Sequence, residues 1–156
     1  MSNEVLFTEL AEVTVASSTA TVAVADVSGT ASVVTNLSSA NHSNYPYGRA
    51  VLTFSGTNSI SSASTLIYLY RRDINVNGTA DTPELSTATN SYYMQKYVGA
   101  FVAKATSASF TTNQELTVDD IPLSKDCEFY VEDRLNIPIG GGWVLKMIPK
   151  TFVPGA

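Results

Sequence analysis

The sequence is poor in the residue types that usually carry metal, redox or disulfide chemistry. Its 156 residues include one cysteine, Cys127, and one histidine, His42. A single cysteine forms no internal disulfide, and a zinc site draws on several His or Cys ligands. Charged residues make up only 15% of the chain, against about 25% in an average soluble domain. We therefore expect neither a disulfide framework nor a His/Cys zinc centre.

Basic residues are especially scarce, and Arg49 is the only one within residues 1–70. The net charge is −5 and the isoelectric point is about 4.7. Nucleic acids and anionic membranes are bound by clustered Lys and Arg, so the sequence predicts no nucleic-acid partner and no membrane partner. No apolar run approaches the about 20 residues of a membrane span, and residues 1–4 do not begin a signal peptide. We expect the chain to be made in a cytoplasm and to stay there unless it leaves inside a larger particle.

Uncharged polarity is what the chain has in abundance. Ser and Thr together account for 36 residues, and apolar residues make up 44%. That apolar share supports one core in a chain of single-domain length, roughly 100–200 residues. A surface with few Lys and Arg side chains loses little side-chain entropy when a partner covers it. The composition therefore favours binding or assembly.

Short runs that alternate apolar and polar residues, separated by turn-forming residues, predict β-strands throughout the chain. The predicted strands are 12–16, 21–25, 31–35, 50–55, 65–71, 97–104, 115–118, 128–133 and 143–148. This number and spacing predict an all-β fold, an antiparallel two-sheet sandwich of the jelly-roll type with an extended N-terminal arm.

The alternation also predicts which side chains fill the core. Cys127 shares a strand face with Phe129 and Val131, which indicates a buried core thiol and not a nucleophile. On the same strand, Glu128 and Glu132 are expected to be solvated. The remaining side chains expected inside are Leu66, Tyr68, Tyr70, Phe101, Trp143, Leu145 and Met147.

The chain is predicted to divide into an N-terminal arm, residues 1–19, and a single β-sandwich domain, residues 20–156. Two segments are predicted to lie outside the regular strand pattern, the arm and residues 79–96. The arm contains an apolar set that we expect to contact a neighbouring subunit: Val5, Leu6, Phe7 and Leu10. Residues 79–96 form a long connection that contains Tyr92 and Tyr93. Exposed tyrosines make good contact surfaces for proteins or sugars, although packing at a loop base explains them equally well.

No catalytic or cofactor-binding constellation is visible in the sequence. A serine-hydrolase elbow, G-x-S-x-G, does not occur, and His42 lies in a polar loop that predicts a solvated side chain. Residues 140–142 are three glycines that precede a strand and lack the Lys-Ser/Thr of a phosphate loop. We therefore predict a protein that is not an enzyme, with no catalytic residues and no cofactor.

The loop that begins at Asp73 is the one place where the spacing matches a cation site. Asp73, Asn75, Asn77 and Glu84, with Gly78 at the sixth position, satisfy the twelve-residue calcium-loop pattern. The strand-like residues before the loop and Pro83 oppose a helix–loop–helix site. The alternative is a polar turn around residues 77–78, in which Arg71 or Arg72 pairs with Asp73 or Asp81. We favour the turn and expect no metal.

Two segments carry a resemblance to a known class of proteins. LIYLYRRDINVNGTADTP (66–83) and CEFYVEDRLNIPIGGGWVLKMIPKTF (127–152) resemble small β-sandwich virion proteins of tailed bacteriophages. The likeness depends on the Tyr-Arg-Arg-Asp corner, the Asn-Gly turn and the closing Gly-Gly-Trp-Val-Leu-Lys strand, and it spans roughly residues 47–152. It implies a capsid decoration or cement protein, or a related head or tail accessory part, that binds the major capsid protein or another virion protein.

The same resemblance implies symmetric homo-oligomers such as trimers, extended terminal arms, localisation in the virion, and no catalytic residues to transfer. A carbohydrate-binding or host-adhesion module on the same fold is the alternative, because jelly rolls also present aromatic surfaces to sugars. A small lyase or hydrolase is a third hypothesis, which the absence of a visible acid–base constellation disfavours.

Overall fold

The structure, a computed structural model, describes residues 5–23, 33–34, 45–56, 59–73, 97–108, 110–123 and 126–154. In these ranges the regular structure is β, and no helix there is long and apolar enough to cross a membrane. The strands are β1 (Val5–Glu9), β2 (Val13–Ser18), β3 (Val33–Val34), β4 (Tyr47–Gly56), β5 (Thr65–Asp73), β6 (Tyr97–Val102), β7 (Phe110–Pro122), β8 (Cys127–Leu135) and β9 (Trp143–Pro154).

The strands form two antiparallel sheets that pack face to face, which confirms the predicted sandwich. The large sheet has the order β3-β2-β9-β4-β7, and β1 pairs with the C-terminal part of β9. The small sheet has the order β6-β5-β8. Nearly every predicted strand has its counterpart, but the segment 21–25 contributes only a bridge between Val22 and Ile139 among its described residues.

The core lies between the two sheets, where alternate side chains of each strand point inward. Phe101, Phe129, Val131 and Cys127 of the small sheet are buried against the large sheet, as predicted. From the large sheet, Trp143, Leu145 and Met147 of β9 and Ala50, Leu52 and Phe54 of β4 are buried in the same core, facing the small sheet.

The predicted core was wrong for β5. Ile67 and Leu69 are the fully buried residues that face the large sheet, whereas Leu66 is 37% exposed and Tyr68 is half-buried. Tyr70 is buried, but on the outer face of the small sheet, in a separate cluster with Tyr130. Both alternating sets of β5 are largely apolar, so period-2 reasoning alone could not decide which set faces the core.

Residues 5–18, which were expected to lie within an arm, supply two strands of the large sheet. β1 and β2 follow one another along the same side of β9: Val5–Glu9 pairs with residues 150–154 and Val13–Ser18 with residues 143–147. Val15 and Ala16 are buried in the core. The core therefore includes residues that precede residue 20.

The connection between β8 and β9 depends on two glycines. A side chain on Gly141 would collide with the backbone carbonyl of Thr19, and Gly142 has a φ of +84°, which disfavours residues with a side chain. The Gly142 N–H donates to the carbonyl of Ser18 at 2.7 Å. This tight approach places Trp143 directly at the start of β9, inside the core.

Truncation of Trp143 tests how strongly this core depends on one side chain. Trp143 is fully buried, and its indole N–H has no hydrogen-bond partner among the described residues. We expect Trp143→Ala to lower the free energy of unfolding by about 3–5 kcal/mol. Trp143→Phe should cost much less, because it retains most of the ring volume and loses no hydrogen bond. Urea unfolding of both variants measures this, and equal losses would contradict the cavity explanation.

Candidate functional site

The outer face of the small sheet, which points away from the core, combines tyrosines with charged side chains. Rows of alternate residues on β5 and β8 form it, together with the edge strand β6. We name this surface the tyrosine face. Its members are Leu66, Tyr68, Tyr70, Arg72, Tyr97, Ala100, Val102, Glu128, Tyr130, Glu132 and Arg134.

The antiparallel register between β5 and β8 matches complementary side chains across the tyrosine face. Residue pairs that lie directly opposite one another are Leu66 and Arg134, Tyr68 and Glu132, Tyr70 and Tyr130, and Arg72 and Glu128. Side chains opposite one another in an antiparallel pair are close enough to interact. The alternation that turns Ile67 and Leu69 inward therefore aligns phenols and guanidinium groups with carboxylates outside.

Glu132 is a fully buried carboxylate within this surface. The hydroxyl of Tyr70 donates to Glu132 Oε2 at 2.5 Å, and Arg134 Nη2 lies 2.5 Å from Glu132 Oε1. Glu132 Oε1 has no aligned hydrogen bond, so the Arg134 contact is an ion pair without ideal donor geometry. Burial raises the pKa of Tyr70, with the hydrogen bond to Glu132 acting in the same direction, so the phenol remains a donor.

A second set of charged contacts lies at the other end of the tyrosine face. Arg72 Nη1 donates to Glu128 Oε2 at 2.9 Å, and the hydroxyl of Tyr130 donates to the same oxygen at 2.8 Å. Burial raises the pKa of Tyr130 to about 12. Glu128 is thus held between a cation and a protonated phenol, and its charge is compensated locally.

Aromatic contacts join the edge strand to this network. The ring of Tyr97 packs edge-on against Tyr68, with centroids 5.5 Å apart, and against Tyr70, with centroids 6.1 Å apart. The Arg134 guanidinium lies 5.7 Å from the centroid of the Tyr68 ring, a cation–π contact. Tyr97 itself is 44% exposed, so the aromatic cluster reaches the solvent at β6.

The tyrosine face is most exposed at the end opposite Arg72. Val102 is 65% exposed and lies directly across from Leu66, which is 37% exposed. Arg134 follows Leu66 in the same cross-strand row. The surface therefore offers solvent an apolar pair beside a guanidinium group and an aromatic ring. Both carboxylates of the tyrosine face already contact cations and phenols.

The large sheet carries a second charge cluster that spans four strands. Asp119 Oδ1 accepts from Arg49 Nε at 2.7 Å and from Lys150 Nζ at 2.6 Å. Arg49 Nη1 also lies 3.8 Å from Glu9 Oε1. Lys150 and Arg49 lower the pKa of Asp119, which in turn raises the pKa of Arg49.

A β-bulge in β7 sets the position of Asp119. Two residues, Asp119 and Asp120, lie opposite Arg49, and Asp120 has a φ of +56°. The extra residue turns Asp119 toward the cations of β4 and β9. A shallow open cleft is lined by five side chains: Glu9, Arg49, Asp119, Asp120 and Lys150. Their ion pairs connect β1, β9, β4 and β7, which indicates a structural role for the cluster.

A third acidic group, Asp133, lies on the core side of β8 and is fully buried. Its Oδ1 accepts from the Leu135 N–H at 2.8 Å and its Oδ2 from the Ile139 N–H at 3.1 Å. The Ile139 N–H is shared with the carbonyl of Val22 at 3.0 Å. Burial raises the pKa of Asp133 to about 6, because the two backbone donors offset only part of the desolvation. Asp133 therefore holds the chain that leaves β8 in place.

The structure brings none of the predicted calcium ligands together within the part of the chain that it describes. Asp73 ends β5, and its Oδ1 lies 3.1 Å from Arg71 Nε, as the turn hypothesis predicted for that pair. Asn75, Asn77 and Glu84 lie outside the described residues. Across the described ranges, no group of three His, Cys, Asp or Glu side chains is arranged to hold a metal ion.

The structure describes four of the six predicted interface residues. Val5, Leu6 and Phe7 belong to β1, which pairs with β9 of the same chain. Leu10 is half-buried, and its N–H donates to the carbonyl of Pro149 at 2.9 Å. Tyr92 and Tyr93 lie outside the described residues, as does His42. Contact of these residues with a neighbouring subunit stays a prediction.

Sequence reasoning missed the tyrosine face, because Glu128 and Glu132 were expected to be solvated. Glu132 is fully buried and Glu128 is half-buried, so that expectation was wrong. A usable signal existed in the two strands, Tyr-x-Tyr-x-Arg at 68–72 and Glu-x-Tyr-x-Glu-x-Arg at 128–134. Their matching period suits an antiparallel pair, but only the register shows which residues meet.

Comparisons with protein-family models, with curated proteins and with solved structures found no match to this chain. Its function is therefore inferred from its own residues and their geometry.

Removal of the Tyr70 hydroxyl tests whether the tyrosine face is held by its buried hydrogen bond. We expect Tyr70→Phe to lower the free energy of unfolding by about 2–3 kcal/mol, because Glu132 stays buried with one partner fewer. Tyr97→Phe is the matched control, since that tyrosine is 44% exposed, and should cost no more than about 0.5 kcal/mol. Chemical denaturation measures both. Equal effects of the two substitutions would contradict a structural role for the bond.

The pH dependence of stability tests the burial of Asp133. Its pKa in the folded protein is about 6, raised from 3.8, so folding favours the protonated acid. The resulting stability is fully present below pH 3.8 and is lost as the pH rises through about 6. The loss should be about 3 kcal/mol.

Asp133→Asn should lack this pH-dependent loss, because its side chain does not ionise. The difference in unfolding free energy between the wild type and Asp133→Asn, measured from pH 4 to pH 8, isolates the contribution of this residue. Carboxylates common to both proteins cancel in that difference. A difference that stays constant with pH would show that Asp133 keeps its ordinary pKa in the fold.

Proposed function

We propose that the protein is a non-enzymatic structural component of a phage particle, a capsid decoration or cement protein that stabilises the shell. In this role it binds the major capsid protein or another virion protein, and it binds copies of itself. The resemblance of residues 66–83 and 127–152 to small phage virion proteins motivates the proposal. In the fold, β5 and β8 from these two segments pair directly with one another.

The observation that carries the proposal is the contrast between compensated charges and exposed apolar side chains. Charged groups on both sheets pair with one another across strands, among them Arg49 with Asp119 and Arg72 with Glu128. Leu66, Tyr97 and Val102 remain exposed on the small sheet. Such a surface can be covered by a protein partner without leaving charges unpaired, which is the costly part of burying polar groups.

The composition supports the same role. A surface rich in Ser and Thr and poor in Lys and Arg orders few long side chains on contact. The tyrosine face also agrees with the enrichment of aromatic residues and Arg in interface cores. These features suit many weak, repeated contacts on a shell.

Purified particles provide the direct test. Antibodies to the recombinant protein should detect it in density-gradient fractions of the phage that carries the gene, with a constant ratio to the major capsid protein. Particles treated with mild denaturant should release it together with lowered shell stability. If the protein is found only in the soluble fraction of infected cells, the virion assignment is wrong.

The tyrosine face also supports a second candidate, a carbohydrate-binding or host-adhesion module. The half-buried Tyr68 lies beside the Arg134 guanidinium, and the exposed Tyr97 packs against Tyr68. Aromatic rings next to a hydrogen-bond donor can stack on sugars and hydrogen-bond to them. Titration with host-surface glycans separates the candidates. Saturable glycan binding that Tyr97→Ala abolishes would favour adhesion, and attachment to shells without glycan binding would favour decoration.

A further inference from the structure

The edge strand β6 lacks the features that usually keep sheet edges from pairing with other chains. Among the strands that the structure describes, it has a neighbour in the small sheet on one side only, β5. Its six residues, Tyr-Val-Gly-Ala-Phe-Val, include no charged residue and no proline. Natural proteins protect edges with Lys, Pro or inward-pointing charges, and an unprotected apolar edge is a template for another strand.

The outward hydrogen-bonding groups of this edge can be assigned from its contacts. The Ala103 N–H donates to the carbonyl of Thr65 at 2.7 Å, so that residue faces β5. Because residues alternate in an antiparallel ladder, Ala100, Val102 and Lys104 direct their N–H and C=O groups away from β5. Ala100 and Val102 are therefore the strand residues that present backbone groups to the open side.

The backbone N–H and C=O of Lys104, the next outward residue, are already hydrogen-bonded to a side chain. The side-chain amide of Gln114 accepts from the Lys104 N–H at 2.7 Å and donates to the Lys104 carbonyl at 2.9 Å. The amide thus reproduces the paired N–H and C=O contacts of a neighbouring strand. This contact ends the available edge at Lys104 and leaves Ala100 and Val102 as its open portion.

Among the other edge strands that the structure describes, the longest, β7, carries charges of one sign. Glu115, Asp119 and Asp120 are exposed along it, so two copies would bring carboxylates together there. Each copy carries a net charge of −5, which makes an uncharged contact preferable for self-association. The β6 edge offers that contact, and its exposed Val102 and half-buried Ala100 are small enough for two strands to approach closely.

We propose that two copies of the chain pair through their β6 edges, antiparallel about a twofold axis at Phe101. In this register Ala100 of one copy lies opposite Val102 of the second copy, and the contact repeats by symmetry. The two small sheets become one six-stranded sheet, and the row of Leu66 and Val102 continues into Ala100 and Tyr68 of the second copy. The inference rests on the self-association in the proposed function and not on the virion assignment.

A charged substitution at the edge tests the contact. Val102→Lys places two like charges at the symmetric contact and should weaken dimerisation by about 100-fold or more. Thr117→Lys is the matched control, because it adds the same side chain to an exposed position of β7. Sedimentation velocity over a concentration series should show a wild-type dimer, a Thr117→Lys dimer and a Val102→Lys monomer. Thermal melting confirms that each variant is folded.

A wild-type monomer at high concentration, or a dimer that tolerates Val102→Lys, would overturn the inference. A trimer that tolerates Val102→Lys would also overturn it, while leaving the proposed function intact. Absence from particles, by contrast, would refute the virion assignment and leave the β6 contact untouched.

Cysteine cross-linking tests the register and does not depend on the charged variant. The doubly substituted chain Ala100→Cys, Val102→Cys should form a covalent dimer on mild oxidation, because opposite residues of a hydrogen-bonded pair lie about 5.5 Å apart, within disulfide reach. Each single variant should cross-link poorly, since its cysteine has no cysteine opposite. Efficient cross-linking of one single variant would show a different register, and no cross-linking of any variant would contradict edge pairing.

Discussion

The antiparallel register between β5 and β8 determines both the inner and the outer surface of the small sheet. It turns Ile67 and Leu69 into the core while it places Tyr70 and Arg72 opposite residues of β8 that complement them. A shift by one residue would move the apolar set outward and the charged set into the core. The buried Glu132 would then lose its phenol partner, Tyr70, so this hydrogen bond itself helps to fix the register.

The large sheet depends in a similar way on β9, the strand that contacts most of the others. One side of β9 pairs with β1 and then β2, and the other side pairs with β4. Trp143 anchors its first residue in the core, and Lys150 connects it through Asp119 to the edge strand β7. Charge compensation across strands thus serves the fold, and it leaves the exposed apolar side chains of the small sheet for binding.

The sequence was sufficient to predict the all-β sandwich, most strands and the burial of Trp143, Phe101 and Cys127, because local alternation carries that information. It was insufficient wherever two strands must be aligned. Leu66 was assigned to the core because both sets of β5 are apolar, and Glu132 to solvent because its phenol partner, Tyr70, becomes a neighbour only in the folded sheet. The strand β1 was missed because its pairing with β9 joins the two ends of the sequence.

The central claim is that this protein assembles through the uncharged, apolar part of the tyrosine face, whose charged side chains contact one another. The salt dependence of self-association tests it most directly, since salt at about 1 M shortens the electrostatic screening length to about 3 Å and leaves apolar contacts and strand pairing in place. Sedimentation equilibrium of the wild-type protein at low and high salt gives the association constant. The account predicts a constant that is unchanged or higher at high salt, and dissociation by salt would contradict it.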